Sequence, residues 1–286
     1  MTCIEENNGD ERQPRPSVRG LAVILGTNEI ASAAGVYLHR AGWGVVLSHD
    51  PYPPVIRRRM AFYDALFGDK TSVDGVMGTY AEHSMDVRAA IAEAGKVAVT
   101  PRDFLDLLTI ERIDVLVDAR MQKYVVKPDL RWLSGTSLGL GPGFDAGRNC
   151  DIAIETHPSD TGAILRGGRT ADPDRAPVPL GNVGSERFVY TIDAGRWHTP
   201  IEIGTRVFKG FVLGHLDGLP VRAPFDGRIR GIARDGLTIP AGVKLAEIDP
   251  RRRGAKWTGI DPRGHAIGEA VTSAIHAFAR QRVLSD

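Results

Sequence analysis

The stretch Leu138-Gly139-Leu140-Gly141-Pro142-Gly143-Phe144-Asp145-Ala146-Gly147 places four glycines and a proline within nine residues. Glycine tolerates positive φ and proline removes a backbone donor, so no regular element runs through it. Glycine also admits close approach of a ligand, and successive free N–H groups in such a turn can form a nest for an anion. The next apolar run, Cys150-Asp151-Ile152-Ala153-Ile154-Glu155-Thr156, reads as a strand. Its last two residues stand where an open α/β sheet makes its ligand contacts. Gly141, Pro142, Gly143, Phe144, Glu155 and Thr156 are therefore candidate ligand contacts. A tight connection between two buried strands fits the same composition.

The elements upstream would position this turn. Leu21–Leu25 is a buried strand closed by Gly26, and apolar residues at 30, 34, 37, 38 and 41 recur at helical spacing up to Gly42. Val45–Ser48 follows as a strand, completing the opening unit of a doubly wound sheet. Such a unit often holds a phosphate at the helix N-terminus. Here the G-x-G-x-x-G/A slots hold Gly26, Asn28 and Ala31, so the central glycine is missing, while Asp50 lies near the place of a ribose-binding acid. Either the turn binds no nucleotide, or Thr27 and Asn28 cap the helix and also meet a ligand.

Ile56–Leu66 reads as an amphipathic helix with a basic start. Its arginines form a solvated face, or Arg57 and Arg58 meet an anion above the sheet. Val73–Ala81 reads as a small strand, Met85–Ala94 and Pro101–Thr109 as helices, and Val97–Val99 as a strand. Asp114–Ala119 is a buried strand ending in Asp118. Gly26, Asp118 and Gly141 are thus expected along one crevice.

Past Glu155 the character changes. Residues 167–184 form a linker rich in Gly, Pro and Arg, and residues 195–216 then align without a gap to residues 227–248. Two copies of strand, G-x-x-[VI]-x-x-G turn and strand look like a barrel-sandwich hybrid of the biotinyl/lipoyl kind. The hairpin between the copies, Leu216–Pro220, is an Asp-Gly turn without the lysine that a covalent carrier modifies. Apolar positions 267, 271, 274, 275 and 278 make a C-terminal helix expected to pack on the first domain.

The fold class expected is α/β. A tail over residues 1–19 precedes a Rossmann-like parallel-sheet domain over 20–166. The linker, the barrel-sandwich hybrid over 185–252 and a C-terminal segment with its helix over 253–286 complete the chain. Lys plus Arg number 36 against 35 for Asp plus Glu, so charge gives no sign of a nucleic-acid or membrane partner. Apolar runs are strand-sized, far below the roughly 20 residues that span a bilayer. Without a visible signal segment a cytoplasmic location is expected. Two cysteines are too few for a disulfide framework or a zinc site, and Cys150 reads as a buried strand residue. H-E-x-x-H does not occur and no serine is read as the nucleophile of a strand-turn-helix elbow, so no catalytic or metal residue is assigned.

With these pieces in order, the chain resembles the YqeB-type accessory proteins of the selenium-dependent molybdenum hydroxylase system, related in part to the XdhC factors. The resemblance rests on Gly139–Phe144 with Ala146-Gly147, on Ile154-Glu155-Thr156 and on Pro220–Pro224. Ile248–Arg251, Ala266-Ile267-Gly268, Leu38–Gly42 and Ile56-Arg57-Arg58 also carry it. It implies a maturation factor that binds or delivers a molybdopterin-type anionic cofactor, with a molybdenum hydroxylase apo-enzyme or another maturation protein as partner, and self-association as an open possibility. Two segments depart from the family's pattern: Gly26-Thr27-Asn28-Glu29 in the first turn, and His157–Gly162 after Glu-Thr. The alternatives are a nucleotide-dependent oxidoreductase and a scaffold that docks an enzyme through the barrel domain.

Overall fold

A computed structural model describes residues 19–173 and 177–283; apart from Arg19 the expected tail lies outside them. The first part runs β1 (Leu21–Leu25), α1 (Glu29–Arg40), β2 (Gly44–Ser48), β3 (Thr71–Val73), β4 (Val76–Tyr80), α2 (Ser84–Ile91), β5 (Lys96–Thr100), α3 (Phe104–Leu107) and β6 (Val115–Asp118). It continues through β7 (Thr136–Leu140), β8 (Asp145–Ala146), β9 (Ile152–Ile154), β10 (Ile164–Leu165) and β11 (Gly168–Arg169). One nine-stranded sheet has the order β10-β9-β7-β6-β1-β2-β5-β4-β3. Its neighbours are parallel except at the two edges, where β10 and β3 run antiparallel to β9 and β4. From β1 the chain steps to β2 on one side and later returns to β6 on the other, which makes the gap between β1 and β6 a topological switch point.

Apolar side chains alternate across this sheet, as a sheet covered on both faces requires. Ala22, Ile24, Val45, Leu47, Val117 and Leu140 pack under α1 and under α4 (Pro262–Val283), whose Ile267, Val271 and Ile275 join the same core. Leu21, Val23, Val46 and Leu116 point the other way, onto Val87 and Ala90 of α2 and Leu107 of α3. A side chain on Gly268 would fall inside the Tyr37 ring, so that glycine lets α4 lie close on α1.

The second part forms two four-stranded antiparallel sheets. Its strands are β12 (Phe188–Tyr190), β13 (Gly195–His198), β14 (Arg206–Val207), β15 (Val212–Leu216), β16 (Leu219–Arg222), β17 (Gly227–Ile232), β18 (Thr238–Ile239) and β19 (Lys244–Asp249). The sheets are ordered β12-β19-β17-β14 and β16-β15-β13-β18. Each sequence copy gives its short middle strand to the other's sheet. The pairing Gly195↔Ile239 in one sheet recurs as Gly227↔Val207 in the other. Trp197, Val207, Leu213, Ile239, Leu245 and Ile248 fill the space between the sheets.

Two expected elements differ. Residues 56–66 form no α-helix but two 3-10 turns, Arg58–Met60 and Tyr63–Phe67. This segment is held from both sides: Phe62 N donates to Ser32 Oγ in α1, and Ile232 N donates to Ile56 O from β17. Such anchoring overrides helical periodicity. The single strand expected over Val73–Ala81 is the hairpin β3–β4, turning at Asp74-Gly75 with φ of 47° and 83°. Asp-Gly favours that turn because both positions need positive φ.

Candidate functional site

The carboxyl ends of β1, β6, β7 and β9 lie side by side; polar residues follow β1 and β9 and end β6, and the glycine-rich turn follows β7. A side chain on Gly26 would meet Ala119 O at 3.1 Å, and one on Gly141 would meet Thr156 Oγ1 at 2.9 Å and Met121 at 3.5 Å. Gly26, Thr27, Asn28, Asp118, Gly141 and Thr156 are therefore neighbours along one edge. Gly143 faces the stem of Lys127, whose ammonium lies 5.3 Å from the centre of the Phe144 ring.

Each side chain is fixed locally. Asn28 caps α1, its Oδ1 accepting from Ile30 N and Ala31 N, while its Nδ2 donates to Ala119 O at 2.8 Å. The helix N-terminus is thereby occupied by the protein itself. Glu29 follows in the first turn and pairs with Arg57 at 3.0 Å, adding negative charge where a pyrophosphate would lie. Arg57 also grips Glu247 of β19, at 2.7 Å, and thus joins the two halves. Arg58 donates to Ile232 O and Asp64. Both arginines are held by protein acceptors.

The glycine-rich turn is likewise bonded within itself. Gly141 N donates to Ile154 O, Asp145 N to Asn149 Oδ1 and Gly147 N to Cys150 O. Thr170 Oγ1 donates to the carbonyls of Gly141 and Phe144, so the start of the 167–184 segment laces the turn. Gly139 makes room for the Phe144 ring, which packs with Cys150 and Ala153. Burial pushes the Cys150 thiol up to about 12, leaving it an inert packing group. Glu155 is buried and accepts from Thr156 N, His157 N and Ala171 N, each at 2.7 Å. Its work is to hold the loop after β9.

Asp50 and Asp118, both expected from the sequence, stand here with His49, Arg120, Gln122 and Lys127, for which the sequence suggests no role. His49 and Asp50 follow β2, and Thr27 Oγ1 lies 3.2 Å from His49 Nδ1. Burial lowers the His49 pKa against the pull of Asp50, which favours the neutral imidazole. Arg120 forks onto Asp118, and Gln122 Nε2 donates to Asp50 at 2.6 Å. Lys127 is only 7% exposed and donates to Gln122 O at 2.8 Å. Among the described residues no carboxylate comes within ion-pair distance of it. Burial lowers its pKa, partly countered by Asp118. On the facing half, Lys244 lies 3.8 Å from the Phe188 ring centre, and burial with the nearby Arg57 brings it down to about 8. The arrangement is a cluster of polar side chains around the buried Lys127 at the carboxyl ends of the strands; among the described residues there is no group of three or more His, Cys, Asp or Glu able to hold a metal ion. Among them, too, no helix is long and apolar enough to cross a membrane.

Against known proteins, the chain is 30% identical over 271 residues to the uncharacterized protein YqeB of Escherichia coli K12. The chain is similar to YqeB. The match takes in 94% of this chain and 49% of YqeB, so the chain spans about half the length of this curated relative. No family model matches. An aspartoacylase family protein from Mesorhizobium loti aligns over 84% of this chain and 88% of its own, at 12% identity and a TM-score of 0.27; so slight a likeness carries no argument.

Proposed function

We propose that the chain is a YqeB-type accessory factor in molybdenum hydroxylase maturation, acting in the cytoplasm and holding a molybdopterin-type anionic cofactor over the switch-point crevice for a hydroxylase apo-enzyme. Lys127 carries this reading. An ammonium buried at the carboxyl edge of a parallel sheet, without a paired carboxylate, is costly unless an anion completes it. Lys127 and Arg120 would hold the anionic end, and Thr27, His49 and Gln122 offer polar groups to the rest. The cofactor's metal-binding sulfurs serve the client enzyme; the residues of this chain bind and orient.

A nucleotide-dependent oxidoreductase fits less well, because Asn28 and Glu29 occupy the helix N-terminus that a pyrophosphate needs. We read the two antiparallel sheets as a barrel-sandwich hybrid of the biotinyl/lipoyl kind, supported by the exchange of short strands between the copies. Its hairpin tip, Asp217-Gly218, has no lysine, which favours a structural or docking role over covalent carriage.

The test is pterin retention. The chain is produced in a host that makes molybdopterin, and bound pterin is released, oxidised and read by fluorescence. Wild type is expected to carry pterin and Lys127→Met roughly tenfold less, the scale of one charged hydrogen bond. No pterin on wild type, or equal amounts on both folded proteins, rejects the reading.

A further inference from the structure

Lys244, the first residue of β19, is half-buried, and its cross-strand neighbour is Tyr190 of β12. The ladder slips at this point. Val189 pairs with Ala246 and Tyr190 with Lys244, so Leu245 is left between them, a bulge of the kind that re-aims a side chain. The Lys244 ammonium lies 3.8 Å from the centre of the Phe188 ring, and the Arg187 guanidinium lies 4.5 Å from the same centre. Two acids act on the ammonium, Glu247 and Glu29, and both are already engaged. Glu29 pairs with Arg57 at 3.0 Å, and Glu247 pairs with Arg57 at 2.7 Å and Arg187 at 2.9 Å. Arg57 and Lys123 act on it in the opposite sense. Among the described residues no carboxylate comes within ion-pair distance of Lys244.

An amine is a nucleophile only as the free base. A lysine reaches that state near neutral pH when it is drawn partly out of water and set beside another cationic group. Burial first, and then Arg57, do this to Lys244 and bring it down to about 8. Near pH 7 about a tenth of it is therefore free base, against less than about a thousandth of an ordinary lysine. The ring selects the electrophile. The Phe188 face attracts positive charge, and a protonated imine keeps such a charge on Nζ, whereas an amide or a carbamate would remove it. We infer that Lys244 is a covalent capture site for a small aldehyde or ketone, its amine held over Phe188 with no carboxylate to pair it. The Nζ lone pair adds to the carbonyl carbon, a proton passes from nitrogen to oxygen, and loss of water leaves the imine. No electron donor or acceptor is required. The site does not depend on which ligand the switch point holds.

Reductive trapping tests this on the full chain. The folded protein is treated near neutral pH with acetaldehyde and cyanoborohydride, which fixes an imine as an ethylamine, and each lysine is scored by peptide mass spectrometry. The exposed Lys70, Lys209 and Lys256 serve as internal standards. Lys244 is expected to be ethylated roughly tenfold or more faster than they are, because its lower basicity gives back only part of the gain in free base. Its rate should level off above about pH 8, while theirs keep climbing toward about pH 10. A rate at or below the standards, or a pH profile parallel to theirs, overturns the proposal. So does a lead that survives unfolding in urea, where the ring and Arg57 no longer surround the amine. No pterin enters the assay, and Lys127→Met is expected to leave the Lys244 rate unchanged, so failure here and failure of the cofactor reading are separable.

Discussion

Glu247 and Lys127 are both buried ions, and their surroundings differ in kind. Glu247 is 0% exposed and lies among Arg57, Arg187 and Arg230, at 2.7, 2.9 and 3.7 Å. Burial alone would raise its pKa, but the guanidiniums, Arg57 foremost, override this and hold it at about 2. A carboxylate depressed below its ordinary value contributes stability above about pH 4.5 that is lost as pH falls toward 2. Glu247→Gln should therefore cost about 3–5 kcal/mol near neutrality, the scale of a broken buried pair. The gap from wild type should narrow between about pH 4.5 and 2. Urea unfolding across that range checks both; a gap that stays constant with pH would show that the carboxylate's charge contributes nothing. Lys127 has no such partner, and for that reason it points to a ligand where Glu247 points to a clamp between the two halves.

At the scale of elements, glycine acts by absence. Gly139 lies on central strand β7, and a methyl there would fall inside the Phe144 ring. Gly139→Ala should cost about 1–3 kcal/mol as the ring is displaced. Gly147, at φ 85° with open space around it, should tolerate alanine with a smaller loss, about 1 kcal/mol from backbone strain. Equal losses in urea unfolding would mean that Phe144 does not depend on Gly139. The apolar runs of β1, β2 and β6, the cap at Asn28 and the repeat that pairs 195–216 with 227–248 were all readable from the chain, because each follows from local pattern. The 3-10 turns over residues 56–66 were not, since contacts from Ser32 and Ile232 decide them. Nor was Lys127: its burial depends on Gln122, Phe144 and Gly143 converging from two loops, and a lysine before a proline gives no local sign of it.

In the whole molecule, the β-rich half is fastened to the sheet by Arg57–Glu247, Arg230–Asp261 and Arg234–Asp64. Helix α4 closes the chain back onto α1. The polar cluster at the switch point thus sits on elements tied together by these pairs, with Lys127 of the 119–135 segment beside it. Lys127 joins these features, and its own titration is the most direct measurement. With lysines carrying isotope-labelled methyl groups, the Lys127 signal is followed by NMR across pH, without and with a pterin monophosphate. We predict a pKa below the ordinary lysine value in the free protein that rises when the phosphate binds. A Lys127 signal that titrates like an exposed lysine, or is unmoved by the phosphate, would contradict a cation waiting for its anion.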